Sequence, residues 1–168
     1  LDFSATEHAV LCGTDWIGMS GNDFVAVFGA LQDLSNFPAL TDRLQQSMTN
    51  AVLLGRALLA EDGLSTDPAF AGTTFDRSGG LDFLGVSQGS ILGLALTALS
   101  PDIDRAALSV PGVNFSLVMP RWSGFSRLAQ FFEPAYPDDL ERMLMISLMQ
   151  QLFDRGEGGG YVDELQGK

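Results

Sequence analysis

The chain has 168 residues, of which 46% are hydrophobic and 18% charged, so it carries enough apolar mass for one folded domain and is not a disordered tail. Nine basic against 21 acidic residues give a net charge of −12, which argues against nucleic acid or an anionic membrane as partner. Lys168, Cys12 and His8 are each the only residue of their type, so neither a lysine-rich patch nor an internal disulfide can form.

No apolar run reaches the ~18 residues that a membrane-spanning helix needs. The chain begins on Leu1, and residues 1–9 lack the basic start and small-residue cleavage site of a signal peptide. A processed, trimmed or partial product is therefore expected, and the compartment stays open.

In chain order, the first element is Ala9-Val10-Leu11-Cys12, read as a short buried strand bounded by Gly13 and Asp15. Cys12 is then a buried strand thiol. Residues 13–21 hold three glycines, Gly13, Gly18 and Gly21, and read as a functional loop carrying Asp15, Trp16 and Ile17. Ser20 or Asn22 caps the next helix, whose face is Phe24, Val27, Phe28, Leu31 and Leu34. Pro38 restarts the chain into a longer helix that ends near Asp62-Gly63.

A Ser-, Thr-, Gly- and Asp-rich loop, 64–80, leads to a strand over 81–86, a helix over 88–99 and a strand over 106–110. Strand, helix and strand in about thirty residues make a βαβ unit, which implies a parallel sheet. From Val113 onward prolines divide the chain into short pieces. The spacing predicts helices over 125–132 and 138–153, the second apolar nearly all round and so either buried on several sides or a mobile cap over a pocket. Residues 156–168, opening on a glycine-rich run, read as a flexible tail. Asp102, Asp104, Asp138 and Asp139 read as turn and helix-start residues rather than metal ligands.

Gly85-Val86-Ser87-Gln88-Gly89 fits G-x-S-x-G between an apolar strand and a helix, the context that a nucleophile elbow needs. Gly85 and Gly89 leave room for neighbouring backbone in a strained turn, and the Ser87 hydroxyl projects above the sheet. The Gln88 N–H, at the helix start, points where an oxyanion forms. The plainer reading is a serine that merely caps a helix.

With these residues the chain resembles the α/β-hydrolase fold of serine esterases and lipases. Residues 10–20 are similar to the strand and D-x-x-G-x-S loop that precede the nucleophile strand, 87–110 to the elbow helix and following strand, and 113–153 to the place of the helical caps. The resemblance covers roughly 8–153. It implies a single α/β domain over 1–168 with a parallel-sheet, three-layer α/β-hydrolase-like fold, truncated, with a cap-like helical segment at 113–155. The activity it implies is ester hydrolysis through acyl-Ser87, with the Gln88 N–H as an oxyanion donor and no cofactor or metal. Asp15 and Trp16 are candidate pocket residues, and the substrate is a small ester with an apolar acyl part.

The chain departs from the family order of Ser, then Asp or Glu, then His. No histidine follows Ser87, and the loop that supplies the second oxyanion donor is absent too. His8, at the foot of a strand, would lie about 15 Å below the strand edge that bears the site. Two rivals stand beside the esterase reading: a non-catalytic domain whose open sheet edges need self-association or a complementing chain, and an acyltransferase using the same serine.

Overall fold

A computed structural model describes Thr6 and residues 8–166 of the chain. It is a mixed α/β structure, mostly helical, with two parallel strands. The helices α1 (Phe24–Gln32) and α2 (Phe37–Leu59) precede strand β1 (Leu81–Val86), helix α3 (Gln88–Leu99) and strand β2 (Ile103–Ser109). After β2 come α4 (Phe115–Val118), α5 (Phe125–Phe132), α6 (Asp139–Phe153) and α7 (Val162–Leu165), with short 3-10 turns between them.

β1 and β2 pair in parallel, Phe83 opposite Ala106 and Val86 opposite Ser109. The alternation of β1 divides its side chains between two faces. Phe83 and Gly85 face α3, and the Phe83 ring lies against Gly93 of that helix so closely that a Cβ there would overlap it. On the other face Leu84 and Val86 are 57% and 61% exposed. A parallel sheet normally has helices on both faces; among the described residues this one is covered on one.

The largest core therefore lies among the helices. Leu31, Phe37, Leu44, Leu92, Phe132, Met149 and Phe153 form one buried cluster drawn from five helices. Within it Phe153 stacks on Phe115 with ring centroids 4.4 Å apart. Burying such side chains is the main stabilising term, roughly 1.5–3 kcal/mol for each large one.

Four expectations need correction. Residues 9–12 form no strand, and Cys12 is exposed: an apolar tetrapeptide becomes a strand only when a neighbour takes its backbone hydrogen bonds, and no described strand adjoins it. The second strand starts at Ile103 and stops at Ser109, because Val110 turns out of it at φ 55. α6 is not buried on several sides. Met149 and Phe153 face the core, while Leu140, Met143, Leu144 and Leu148 are exposed.

The fourth concerns the tail. Gly156, Glu157 and Gly158 are buried, and the 3-10 turn Gly158–Tyr161 packs on α3. The glycines permit that approach, since a Cβ on Gly158 would overlap the Leu94 side chain. The run is a packing surface for the elbow helix. Lys168 lies outside the described residues.

Candidate active site

Ser87 sits at the vertex between β1 and α3 with φ 54 and ψ −118. A non-glycine residue at positive φ stores strain, of order 1–3 kcal/mol, and keeps it only where its surroundings over-determine it. Three backbone bonds do so. The Ser87 N–H donates to the Ser109 carbonyl at 3.0 Å, and the Ser87 carbonyl accepts from Ser90 N at 2.8 Å and Ile91 N at 3.1 Å. Beneath the turn the buried Ser90 Oγ lies 2.7 Å from the Gly85 carbonyl and 2.6 Å from the Ser109 carbonyl. Its single proton serves one of them at a time.

The two glycines of the motif do different things. A Cβ on Gly85 would lie 2.5 Å from the Gly89 carbonyl oxygen, whereas a Cβ on Gly89 would meet nothing within 4 Å. Gly85 is required for the close approach, and Gly89 is what it approaches. The outcome is an exposed Ser87 side chain at the N-terminus of a twelve-residue helix, where unpaired N–H groups and the helix dipole favour negative charge. Its hydroxyl caps nothing and has no hydrogen-bond partner among the described residues.

The loop of residues 13–21 meets the elbow through Gln88. Its side-chain amide donates to the Met19 carbonyl at 2.8 Å, so two motifs nearly seventy residues apart in sequence join at one place. The loop is fixed from behind as well. The fully buried Ser47 of α2 donates to the Asp15 carbonyl at 2.8 Å and accepts from Ile17 N at 3.0 Å. Gly18, at φ 105, presses against α2, where a Cβ would lie 2.8 Å from the Leu40 carbonyl oxygen.

The organising charge of the loop is Asp23, which is 3% exposed. One of its oxygens accepts from Gly18 N at 2.8 Å, Ser20 N at 3.0 Å and Ser20 Oγ at 2.6 Å; the other accepts from Arg43 at 2.6 Å. Burial by itself pushes the carboxyl up. The donors from Ser20, Arg43 and Gly18 together outweigh it and bring its pKa from 3.8 to about 2. Asp23 is not among the residues expected from the sequence to form the site. Ser20-Asn22-Asp23 nevertheless carried the sign, because Ser followed three residues later by an acid is the spacing of reciprocal helix capping.

Of the other predicted site residues, Asp15 is exposed, and Trp16 is half-buried against the helical core. His8 is exposed at φ 53, just before the segment that was expected to be a strand. Ser87, Asp15 and Trp16 line neither of two apolar hollows among the described residues. A groove of about 340 Å³ lies between Met48, Val52, Leu53, Leu99 and Tyr161, at the end of α3 remote from Ser87, some 17 Å along the helix. A smaller space of about 40 Å³ lies against the helical core, with Met19 among its walls. Among the described residues no three His, Cys, Asp or Glu side chains gather as a metal site, and no helix is long and apolar enough to cross a membrane.

Protein families, curated proteins and solved structures were all compared with the chain, and none of them matches it.

Proposed function

We propose that this chain carries the nucleophile of a serine hydrolase of α/β-hydrolase type, acting on carboxylic esters. The observation that supports it most is the backbone of Ser87, a strained serine held exposed between a parallel strand and a helix start. In this reading the Ser87 hydroxyl attacks the ester carbonyl and loses its proton to a base. The carbonyl oxygen gains the negative charge beside the Gln88 N–H, and collapse expels the alcohol. Water then hydrolyses the acyl-serine and restores the hydroxyl. The exposed Leu and Met side chains of α6 suit an apolar acyl group.

The test is labelling with a fluorophosphonate probe, mapped by mass spectrometry. Modification at Ser87 that disappears in Ser87→Ala supports the reading. An unlabelled wild type, or labelling that survives in the variant, overturns it. Transfer of the acyl group to an added alcohol in preference to water would move the assignment to an acyltransferase.

A second reading, a non-catalytic domain that docks on a partner chain, draws on the bare sheet face where Leu84 and Val86 are exposed and on the unpartnered Ser87 hydroxyl. An unlabelled protein whose sedimentation changes with concentration, and stops changing in Val86→Lys, would favour it.

A further inference from the structure

We propose that Gln88 is a positioning residue as well as an oxyanion donor: its side-chain amide clamps the Asp15–Asp23 loop to the elbow and so fixes the direction of its own backbone N–H. The proposal rests on the serine-hydrolase reading for its chemical consequence, and on geometry alone for the clamp.

The clamp has two firm ends. On the elbow side, Gln88 follows Ser87 directly, and the Ser87 carbonyl is held by Ser90 N and Ile91 N. On the loop side, the Met19 carbonyl accepts from Gln88, while the Met19 side chain packs into the helical core with Val27, Leu31, Leu40 and Phe115. The residues flanking Met19 are tied as well, since Gly18 N and Ser20 N both donate to Asp23, which Arg43 holds from α2. A hydrogen bond between two rigid bodies transmits position. One to a mobile loop would not.

The effect on chemistry follows from where the amide points. A glutamine side chain drawn across to the loop stays out of the space above the helix N-terminus, which leaves the Gln88 N–H open toward an oxyanion. Cut the bond, and the side chain is free to fold over that space or to move the first turn of α3. The resting ester carbonyl needs little from this N–H. The developing oxyanion needs a donor already aimed at it. The loss should therefore fall on the chemical step and spare probe binding.

The experiment compares the wild type with Gln88→Met, which keeps length without a donor, and Gln88→Lys, which restores a donor of similar reach. Two readouts are taken: the fluorophosphonate reaction, split into probe affinity and maximal rate, and hydrogen exchange at the amides of Gly18, Met19 and Ser20. Gln88→Met should lower the maximal rate about tenfold at unchanged affinity, the worth of one well-placed hydrogen bond. Loop exchange should rise several-fold, and Gln88→Lys should recover both. Unchanged exchange in Gln88→Met overturns the clamp. Faster exchange with an unaltered labelling rate overturns the positioning role. A wild type that never labels, with loop exchange that still rises in Gln88→Met, sinks the hydrolase reading, and the clamp survives it.

Discussion

Gly85 and Gly89 oppose one another across the Ser87 turn, and only one of them has to be glycine. The Gly85 α-carbon faces the Gly89 carbonyl at a range that excludes a methyl group, while the Gly89 α-carbon faces open space. Gly85→Ala must push strand and helix apart. It should lower stability by about 1–3 kcal/mol, as overpacking does, and abolish probe labelling. Gly89→Ala should fold normally, with a small gain from alanine's better helix propensity. Thermal melts of the two variants check this directly. Equal losses would mean that the turn is not built as described.

The β1–Ser87–α3 unit was legible because everything that makes it is local. An apolar hexapeptide, a serine flanked by glycines two away and an apolar helical repeat all lie within nineteen residues, 81–99. The misread parts depend on distant partners. Residues 9–12 look like a strand but lack a neighbour to pair with. The first half of β2 was missed because Asp104 and Arg105 face solvent and break the apolar run. The glycine run at 156–160 reads as slack until Leu94, more than sixty residues away, fills the space that its missing side chains leave. The Gln88–Met19 bond is invisible in sequence for the same reason.

Asp23 makes the loop depend on ionisation. Its carboxyl has a pKa of about 2 in the fold against 3.8 for an ordinary aspartate. The stability it contributes is therefore fully present above pH 4 to 5 and is lost as pH falls toward 2. The shift corresponds to about 2 kcal/mol. Asp23→Asn should be less stable by that order at pH 7, and the difference should shrink to nothing near pH 2. Urea denaturation across that range measures it, and a pH-independent difference would remove the charge from the explanation.

Glu157 behaves in the opposite sense. It is fully buried. One oxygen accepts from Gln150 at 2.5 Å and from Phe115 N at 3.1 Å, and the other has no partner among the described residues. Burial raises its pKa above the ordinary 4.5. The Gln150 and Phe115 donors oppose that rise only in part, and the nearby Asp154 adds to it. Arg155 is turned away to Thr41 and Asp42. A raised folded pKa means stability that is complete below pH 4.5 and lost as pH climbs through the folded value. Glu157→Gln keeps the acceptor and removes the buried charge. It should be more stable than the wild type at pH 7 by about 1 kcal/mol, with the gap closing below pH 4.5. A variant that is less stable at pH 7 would show that the charge is compensated.

Ser90 is the remaining test of the elbow, because its hydroxyl touches both strands beneath Ser87. It is 0% exposed, and its proton serves the Gly85 and Ser109 carbonyls alternately. Ser109 is also the residue whose carbonyl holds Ser87 N. Removing the hydroxyl leaves the Gly85 and Ser109 carbonyls relying on their remaining bonds, at a cost of about 1–2 kcal/mol. Ser90→Ala should accordingly melt lower. It should also slow Ser87 labelling more than Thr97→Ala, which deletes a hydroxyl bound at 2.7 Å to Gly93 in the same helix, two turns further on. Thr97 supplies the control, since losing its bond weakens α3 without touching the strands. Equal labelling rates in the two variants would show that the strain at Ser87 is not maintained from below.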